Sequence, residues 1–324
     1  MKLHWQIAGE EISIADWLGD DEYATYPEGS RNKQLLRCPS PAPHPWLVPG
    51  HRYLFKESRR TYPEQFWAEI VAARVGDLCG VEVPPAYAAW DESKQTAAAL
   101  IEWFYGYVDG PVQRFISGGA LMKGAIKDFD HEKGRQHNFG TIDSTSSILA
   151  KTLGLQPDWM LVWARMLTFD ALIGNTDRHQ ENWGLLWQID RTKTPNTSLL
   201  MAPAFDNGTS LGHEMLNGRI ADFCGDEKRL RRYIERGHHH MRWHLSDARK
   251  AQHGQLLLQL VGKYPQSRPA MISVLQVSDE QLRDAILPLS GLALPVPFSE
   301  ARAALMLHLL RARRDSLLSL LTAP

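Results

Sequence analysis

Three oxygen-bearing side chains set the chemistry open to this sequence. The stretch TFDALIGNTDRHQENWGLLWQ (168–188) turns at Gly174, Asn175 and Thr176 and presents Asp177, Arg178, His179 and Asn182 in one tight loop before a strand resumes. Farther on, SLLMAPAFDNGTSLG (198–212) reads as an apolar strand ending in Phe205, Asp206, Asn207 and Gly208. Asn182 and Asp206 are hard oxygen ligands of the kind Mg²⁺ takes one or two at a time, with phosphate and water filling the remaining positions. Asp177 is left to accept a proton from a hydroxyl. This is the division of labour of phosphoryl transfer, where positioning and charge neutralisation supply most of the catalysis. Turns also favour Asp and Asn, but turn chemistry alone does not produce an ordered set with a strand after the first loop and another before the second Asp.

Such chemistry needs a cation on the nucleotide phosphates, and one lies upstream. Lys56 ends the alternating strand RYLFK (52–56), and Glu69 on the following helix is placed to hold it by an ion pair, with Glu57 and Glu64 as neighbouring rivals. The strand TAAALIEWFY (96–105) carries Glu102, Trp103 and Phe104, whose backbone is positioned to hydrogen-bond an adenine. Residues 26–33, YPEGSRNK, form a candidate loop over the phosphates, in which Gly29, Ser30, Arg31 and Lys33 supply backbone amides and positive charge. His179 is grouped with the nucleotide-binding residues. The plainer roles are structural: His179 holds the loop by hydrogen bonds, and Arg178 pairs an acidic neighbour.

The elements that must position these residues divide the chain. HWQIA (4–8) and RYLFK alternate as strands, and residues 85–91 and 96–105 form a hairpin across the turn ESKQ. Residues 63–79 have helical periodicity, with Pro63 at the start, Phe66, Ile70, Ala73 and Leu78 toward a core, and Gly80 at the end. The Pro-rich RCPSPAPHPWLVPG (37–50) reads as irregular. Beyond residue 108, helix-type spacing covers 143–153, 158–173, 226–236, 245–263, 278–286 and 298–321. The expectation is an α+β chain of two lobes: a small β-rich one with a single main helix (1–108) and a larger, mostly helical one (109–324), meeting near Tyr107–Pro111.

DALIGNTDRHQENWGLL together with APAFDNGTSLG resembles the HipA-like serine/threonine kinase family, in its short stand-alone, HipT-like form. The family signature N-T-D-R-H-x-x-N stands here as Asn175, Thr176, Asp177, Arg178, His179 and Asn182; the metal-binding Asp matches Asp206, the strand lysine Lys56, and the helix glutamate Glu69. The resemblance implies a bilobal protein-kinase-like fold that binds ATP and Mg²⁺ and phosphorylates a protein hydroxyl. It also implies protein substrates that include aminoacyl-tRNA synthetases, a toxin–antitoxin setting with an antitoxin or inhibitor chain as partner, and loop autophosphorylation, for which Ser30 is the candidate. The repeated glycines expected over the phosphates are missing upstream of Lys56, where only Gly29 and a Pro-rich insertion stand. A phosphoinositide-type lipid kinase, which also uses D-R-H-x-x-N with a later Asp, and a nucleotide-binding pseudokinase are the alternatives.

Bulk composition narrows the field. The chain has 324 residues, a formal net charge of -1 and 44% hydrophobic residues, so a globular protein of about two domains is expected, and a dedicated duplex-DNA binder with a basic excess is not. Cys38, Cys79 and Cys224 fit no zinc spacing and point to a reducing cytoplasmic compartment, either the cell's own or that of a host receiving an effector. The N-terminus lacks the apolar run of a signal peptide, and no apolar tract is long enough to span a membrane. The run HHHM (238–241) with His244 is read as a structural or surface feature near the mouth of the site rather than as a metal site, and the basic KRLRRYIER (228–236) as a solvated helix face, with a docking patch for an acidic protein substrate or the nucleotide as the alternative.

Overall fold

The computed structural model describes residues 3–20, 32–189 and 197–323. A six-stranded sheet forms first, from β1 (Ile12–Ser13), β2 (Leu18–Gly19), β3 (Lys33–Arg37), β4 (Arg52–Glu57), β5 (Ala86–Asp91) and β6 (Thr96–Glu102), in the order β1-β5-β6-β4-β3-β2. Its pairings are antiparallel except β1 with β5. The expected hairpin is present, with residues 92–95 as its turn; the Asp91 carboxylate caps it by accepting from the Ser93 N–H at 3.0 Å.

The sheet has two unlike faces, one filled by large side chains and the other lined by alanines. Tyr53, Phe55, Tyr87 and Leu100 fill one face and pack with Ile12, Ile14, Trp17 and Leu47. On the other face Ala86, Ala88, Ala97 and Ala99 let helix α1 (Phe66–Cys79) settle closely onto the strands. Every residue of α1 from Phe66 to Gly76 is buried. A Cβ at Gly76 would lie 2.4 Å from Val83 Cγ2, so only glycine permits the approach there. Gly80, with φ 64°, ends the helix in the left-handed conformation.

The chain then builds a second, three-stranded antiparallel sheet from β7 (Val112–Ser117), β8 (Gly184–Ile189) and β9 (Thr197–Met201). The remaining helices are α2 (Gly118–Ala125), α3 (Phe139–Thr152), α4 (Trp159–Ile173), α5 (Ile220–Cys224), α6 (Glu227–Glu235), α7 (His253–Lys263), α8 (Arg268–Val274), α9 (Asp279–Ile286) and α10 (Glu300–Thr322). α4 is the central column, packed against α7, α8 and α10. The C-terminal elements also close over α1: Trp67 Nε1 donates to the Val296 carbonyl at 3.3 Å, and Arg74 donates to the carbonyls of Ala285 and Gln6 at 2.9 and 2.6 Å. One hydrophobic core therefore runs from the first sheet through α1 into the helices.

Two expected elements are corrected. HWQIA (4–8) is not a strand. The Gln6 side-chain amide takes the place of a strand there, accepting from Ala88 N at 2.6 Å and donating to Ala88 O at 3.1 Å. The helix expected over 245–263 begins only at His253. Asp247 prevents an earlier start: its carboxylate accepts from His244 N at 2.8 Å and its carbonyl accepts from Arg242 Nε at 2.9 Å, a local closure that competes with helix. No helix among the described residues is long and apolar enough to cross a membrane.

Candidate functional site

The loop expected to carry the chemistry grows out of α4. Gly174, with φ 69°, ends that helix, and Asn175 Oδ1 then accepts from the Asp177 N–H at 2.9 Å. Asn182 Nδ2 donates to the Asp177 carbonyl at 2.8 Å, which leaves Asn182 Oδ1 as the atom available to a cation. His179 Nδ1 accepts from Glu181 N at 3.1 Å, so the ring proton of a neutral His179 sits on Nε2. The loop thus holds its shape through its own amides, with β8 anchoring its far end.

A buried arginine fastens this loop to the one bearing Asp206. Arg178 is fully buried and pairs with Asp170 of α4 through Nη2–Oδ1 at 2.7 Å and Nε–Oδ2 at 3.0 Å. It also donates to the Asn182 carbonyl at 3.0 Å, to Asn207 Oδ1 at 2.7 Å and to the Phe205 carbonyl. Burial alone would raise the Asp170 carboxyl; Arg178 and His239 beside it outweigh that and hold it below the usual carboxylate range. The acidic neighbour expected to pair with Arg178 is thus Asp170, inside the apolar helix segment TFDALI.

Lys56 and Glu69 meet as expected from their positions. Lys56 Nζ lies 2.7 Å from Glu69 Oε1 and 2.7 Å from Asp206 Oδ1. The rival glutamates are committed elsewhere: Glu64 to Arg302 at 2.8 Å and Glu57 to Asn32 at 3.3 Å. The second oxygen of Glu69 accepts from the Asn207 backbone N–H at 2.8 Å, so α1 grips both the strand lysine and the Asp206 loop. Asp206 itself adopts φ 55°, a left-handed conformation that short polar side chains tolerate.

These residues share one cleft of ≈ 1070 Å³, whose lining includes Lys56, Asp177, His179, Asn182 and Asp206. Glu102, Trp103 and Phe104 line its other end, beside the apolar Leu54, Ile101 and Phe205. Glu69 stands behind Lys56 and is not part of the lining. The adenine expectation for the strand 102–104 needs one correction. Trp103 has both backbone groups taken, its N–H by Arg52 O at 3.0 Å and its carbonyl by His51 Nε2 at 2.6 Å, which leaves Glu102 and Phe104 to offer groups to a ligand. Gly29, Ser30 and Arg31 lie outside the described residues.

The cleft also contains residues that sequence reasoning did not place there, His131, Lys133 and Phe115, and it contains His240 of the run expected near its mouth. The three histidines of the HHHM run diverge. His238 pairs with Gln252 in an isolated bridge, His239 Nε2 lies 3.2 Å from Asp170 Oδ2, and His240 reaches the cleft with its ring 5.8 Å from that of His179. Burial, with Lys250 nearby, pushes the His240 imidazole down to about 3. Among the described residues, no group of three or more His, Cys, Asp or Glu is arranged to hold a metal ion by itself.

The family model for the HipA-like C-terminal domain matches residues 27–260. Among curated proteins, no sequence matches the chain significantly. The fold is similar to that of the Helicobacter pylori proinflammatory kinase CtkA, with a TM-score of 0.72 at 16% identity over 96% of each chain. It is also similar to HipA of the Shewanella oneidensis MR-1 toxin–antitoxin system, solved with HipB and operator DNA: TM-score 0.50, 12% identity, 91% of this chain and 64% of that one. With the match extending over both loops of the cleft and over Lys56, the chain belongs to the HipA-like family and has its kinase-like α+β fold.

Proposed function

We propose that the chain is an ATP- and Mg²⁺-dependent serine/threonine protein kinase that transfers the γ-phosphoryl group to a protein hydroxyl, with 1–108 and 109–324 as its two lobes. One observation carries this reading: Lys56, clamped by Glu69, faces Asp206 in the cleft that also holds Asp177 and Asn182. Lys56 orients the α/β-phosphates, which draw its ammonium away from Asp206. The carboxylate of Asp206 and Oδ1 of Asn182 are a hard-oxygen pair that fits Mg²⁺. When bound, that ion neutralises charge on the phosphates. Asp177, fixed by Asn175 and Asn182, accepts the hydroxyl proton of the incoming substrate. The apolar end of the cleft, with Glu102 and Phe104, receives the adenine, and His179 stands at the phosphate end.

The relatives suggest a partner as well. The Shewanella HipA was solved with HipB; by analogy, a dedicated antitoxin or inhibitor chain restrains this protein, and a translation component such as an aminoacyl-tRNA synthetase is the acceptor to test first. The experiment is γ-labelled ATP added to purified protein with whole-cell lysate or lipid vesicles, comparing wild type with Asp177→Ala. A labelled lysate protein seen only with wild type, together with nucleotide binding retained in Asp177→Ala, supports the reading. Label on lipid alone would point to a lipid kinase, and saturable ATP binding without any transfer to a pseudokinase.

A further inference from the structure

Glu102 is a buried carboxylate that the proposed reaction does not use. It is 8% exposed, and among the described residues no Lys or Arg bonds to it. Two phenols do: Tyr53 donates to Oε2 at 2.9 Å and Tyr107 to Oε1 at 2.5 Å. Burying a carboxylate against neutral donors is a costly way to stabilise a fold, since a cation or an apolar side chain would serve better. The arrangement is better explained by what it holds in place.

The register shows what that is. Tyr53 stands directly opposite Glu102, on the sheet face away from Leu54, Lys56 and the cleft. Tyr107 lies five residues farther along, so its bond to Glu102 draws the chain 103–106 into a reversal completed by Gly106 at φ 75°. His51 closes the ring. It stacks on Tyr107 with ring centroids 4.1 Å apart and interplanar angle 8°, and its Nε2–H donates to the Trp103 carbonyl at 2.6 Å. Tyr53 is tied in turn to the Pro-rich loop, because its hydroxyl accepts from Val48 N at 3.0 Å. The strand end that meets the cleft is thus gripped from behind at residues 102, 103 and 107. Burial, with the Glu102 charge, pushes the Tyr53 and Tyr107 phenols far above their ordinary range, so they remain donors at any working pH.

We propose that Glu102, Tyr53, Tyr107 and His51 form a rear clamp that makes this strand end selective for adenine. The inference rests on the nucleotide-binding reading above and adds the residues that determine base specificity. With Trp103 satisfied internally, the edge presented to the base is the carbonyl of Glu102 and the N–H of Phe104. An adenine amine and ring nitrogen complement that pair. Guanine presents a carbonyl where adenine presents its amine, setting oxygen against oxygen. Discrimination of this kind requires that the two groups not move, and the clamp prevents their movement. None of its side chains touches the reacting atoms; they are positioning residues.

The test compares wild type with Tyr107→Phe and His51→Phe, which leave an aromatic ring at each position and remove one hydrogen bond each. Nucleotide KM and kcat are measured with ATP and GTP, and adenosine and tripolyphosphate serve as separate competitors for the base and phosphate ends. Tyr107→Phe is expected to raise KM for ATP about tenfold, the scale of one hydrogen bond to a charged group, with kcat at saturation within about twofold. Adenosine should weaken by the same factor, tripolyphosphate should not change, and the ATP/GTP preference should narrow. His51→Phe should move the same quantities in the same direction. Equal weakening of both competitors, or an unmoved KM, overturns the clamp. Wild-type protein that binds neither ATP nor adenosine overturns the kinase reading, and the clamp with it; wild-type binding with unmoved variants overturns the clamp alone.

Discussion

Replacing Asp170 by Ala strands the most deeply buried cation of the site. Arg178 and Asp170 are both 0% exposed at the side chain, and Asp170 supplies two of the guanidinium's bonds. Removing one partner of a buried pair costs about 3–5 kcal/mol, because the charge left behind keeps its desolvation penalty. Domains of this kind are stable by about 5–15 kcal/mol, so Asp170→Ala should consume at least about a fifth of the total. With a urea dependence of about 3 kcal/mol per molar, the unfolding midpoint should fall by about 1–1.7 M. Tryptophan fluorescence reads the transition, and the chain carries 11 reporters. A double variant, Asp170→Leu with Arg178→Met, removes both charges and should recover most of the loss. It should still fail to transfer phosphate, because the carbonyls of Phe205 and Asn182 and the amide of Asn207 lose their shared donor. An Asp170→Ala midpoint within about 0.3 M of wild type, less than about 1 kcal/mol, would refute the claim that this pair is the keystone of both loops.

Two further outcomes follow from the same packing. His137 and His253 are buried and held neutral, burial being the main cause in each. Their folded-state values lie below the ordinary value near 6.5. The unfolded chain therefore takes up more protons as pH falls below about 6.5, and each residue removes up to about 1.4 kcal/mol of stability per pH unit there. Above about pH 7 these groups contribute no slope, and Asp170 begins to matter only below about pH 4, where its unfolded form protonates. Urea midpoints at pH 5, 6, 7 and 8 check this, and a midpoint that rises from pH 7 to pH 5 contradicts it. Separately, Gly118→Ala would place a Cβ 2.1 Å from Trp183 Cε2, next to Asn182. The overpacking should cost about 1–3 kcal/mol in urea unfolding and lower the transfer rate by displacing the end of the catalytic loop; unchanged stability would show that the indole has room to yield.

The loop 174–183 of the candidate site was legible in the sequence because its bonding is local. Asn175, Asp177 and Asn182 bond to one another within eight residues, and spacing alone reports that. Lys56 and Glu69 were legible as a pair only up to the choice among three glutamates. That choice was made by distant partners, Arg302 for Glu64 and Asn32 for Glu57. The lining residues Lys133 and Phe115 carried no such signal, since long-range packing brings them to the cleft. Alternation misled at HWQIA, where a side-chain amide replaces backbone pairing. Periodicity misled before His253, where Asp247 offers the backbone a competing set of bonds. Trp103 shows the same limit at the site: its residue type fits a base-binding strand, but the commitment of its carbonyl to His51 is invisible without coordinates.

Helix α1 is packed on more than one side. Strands lie against one of its sides, and the segment around Val296 and α9 against another, with Trp67 and Arg74 bonded into the latter. Withdrawing Glu69 from Lys56 would mean tearing open the common core rather than tilting a surface helix. On the kinase reading proposed above, an inhibitor that leaves this shared core intact would act at the mouth of the cleft and bring its own binding energy.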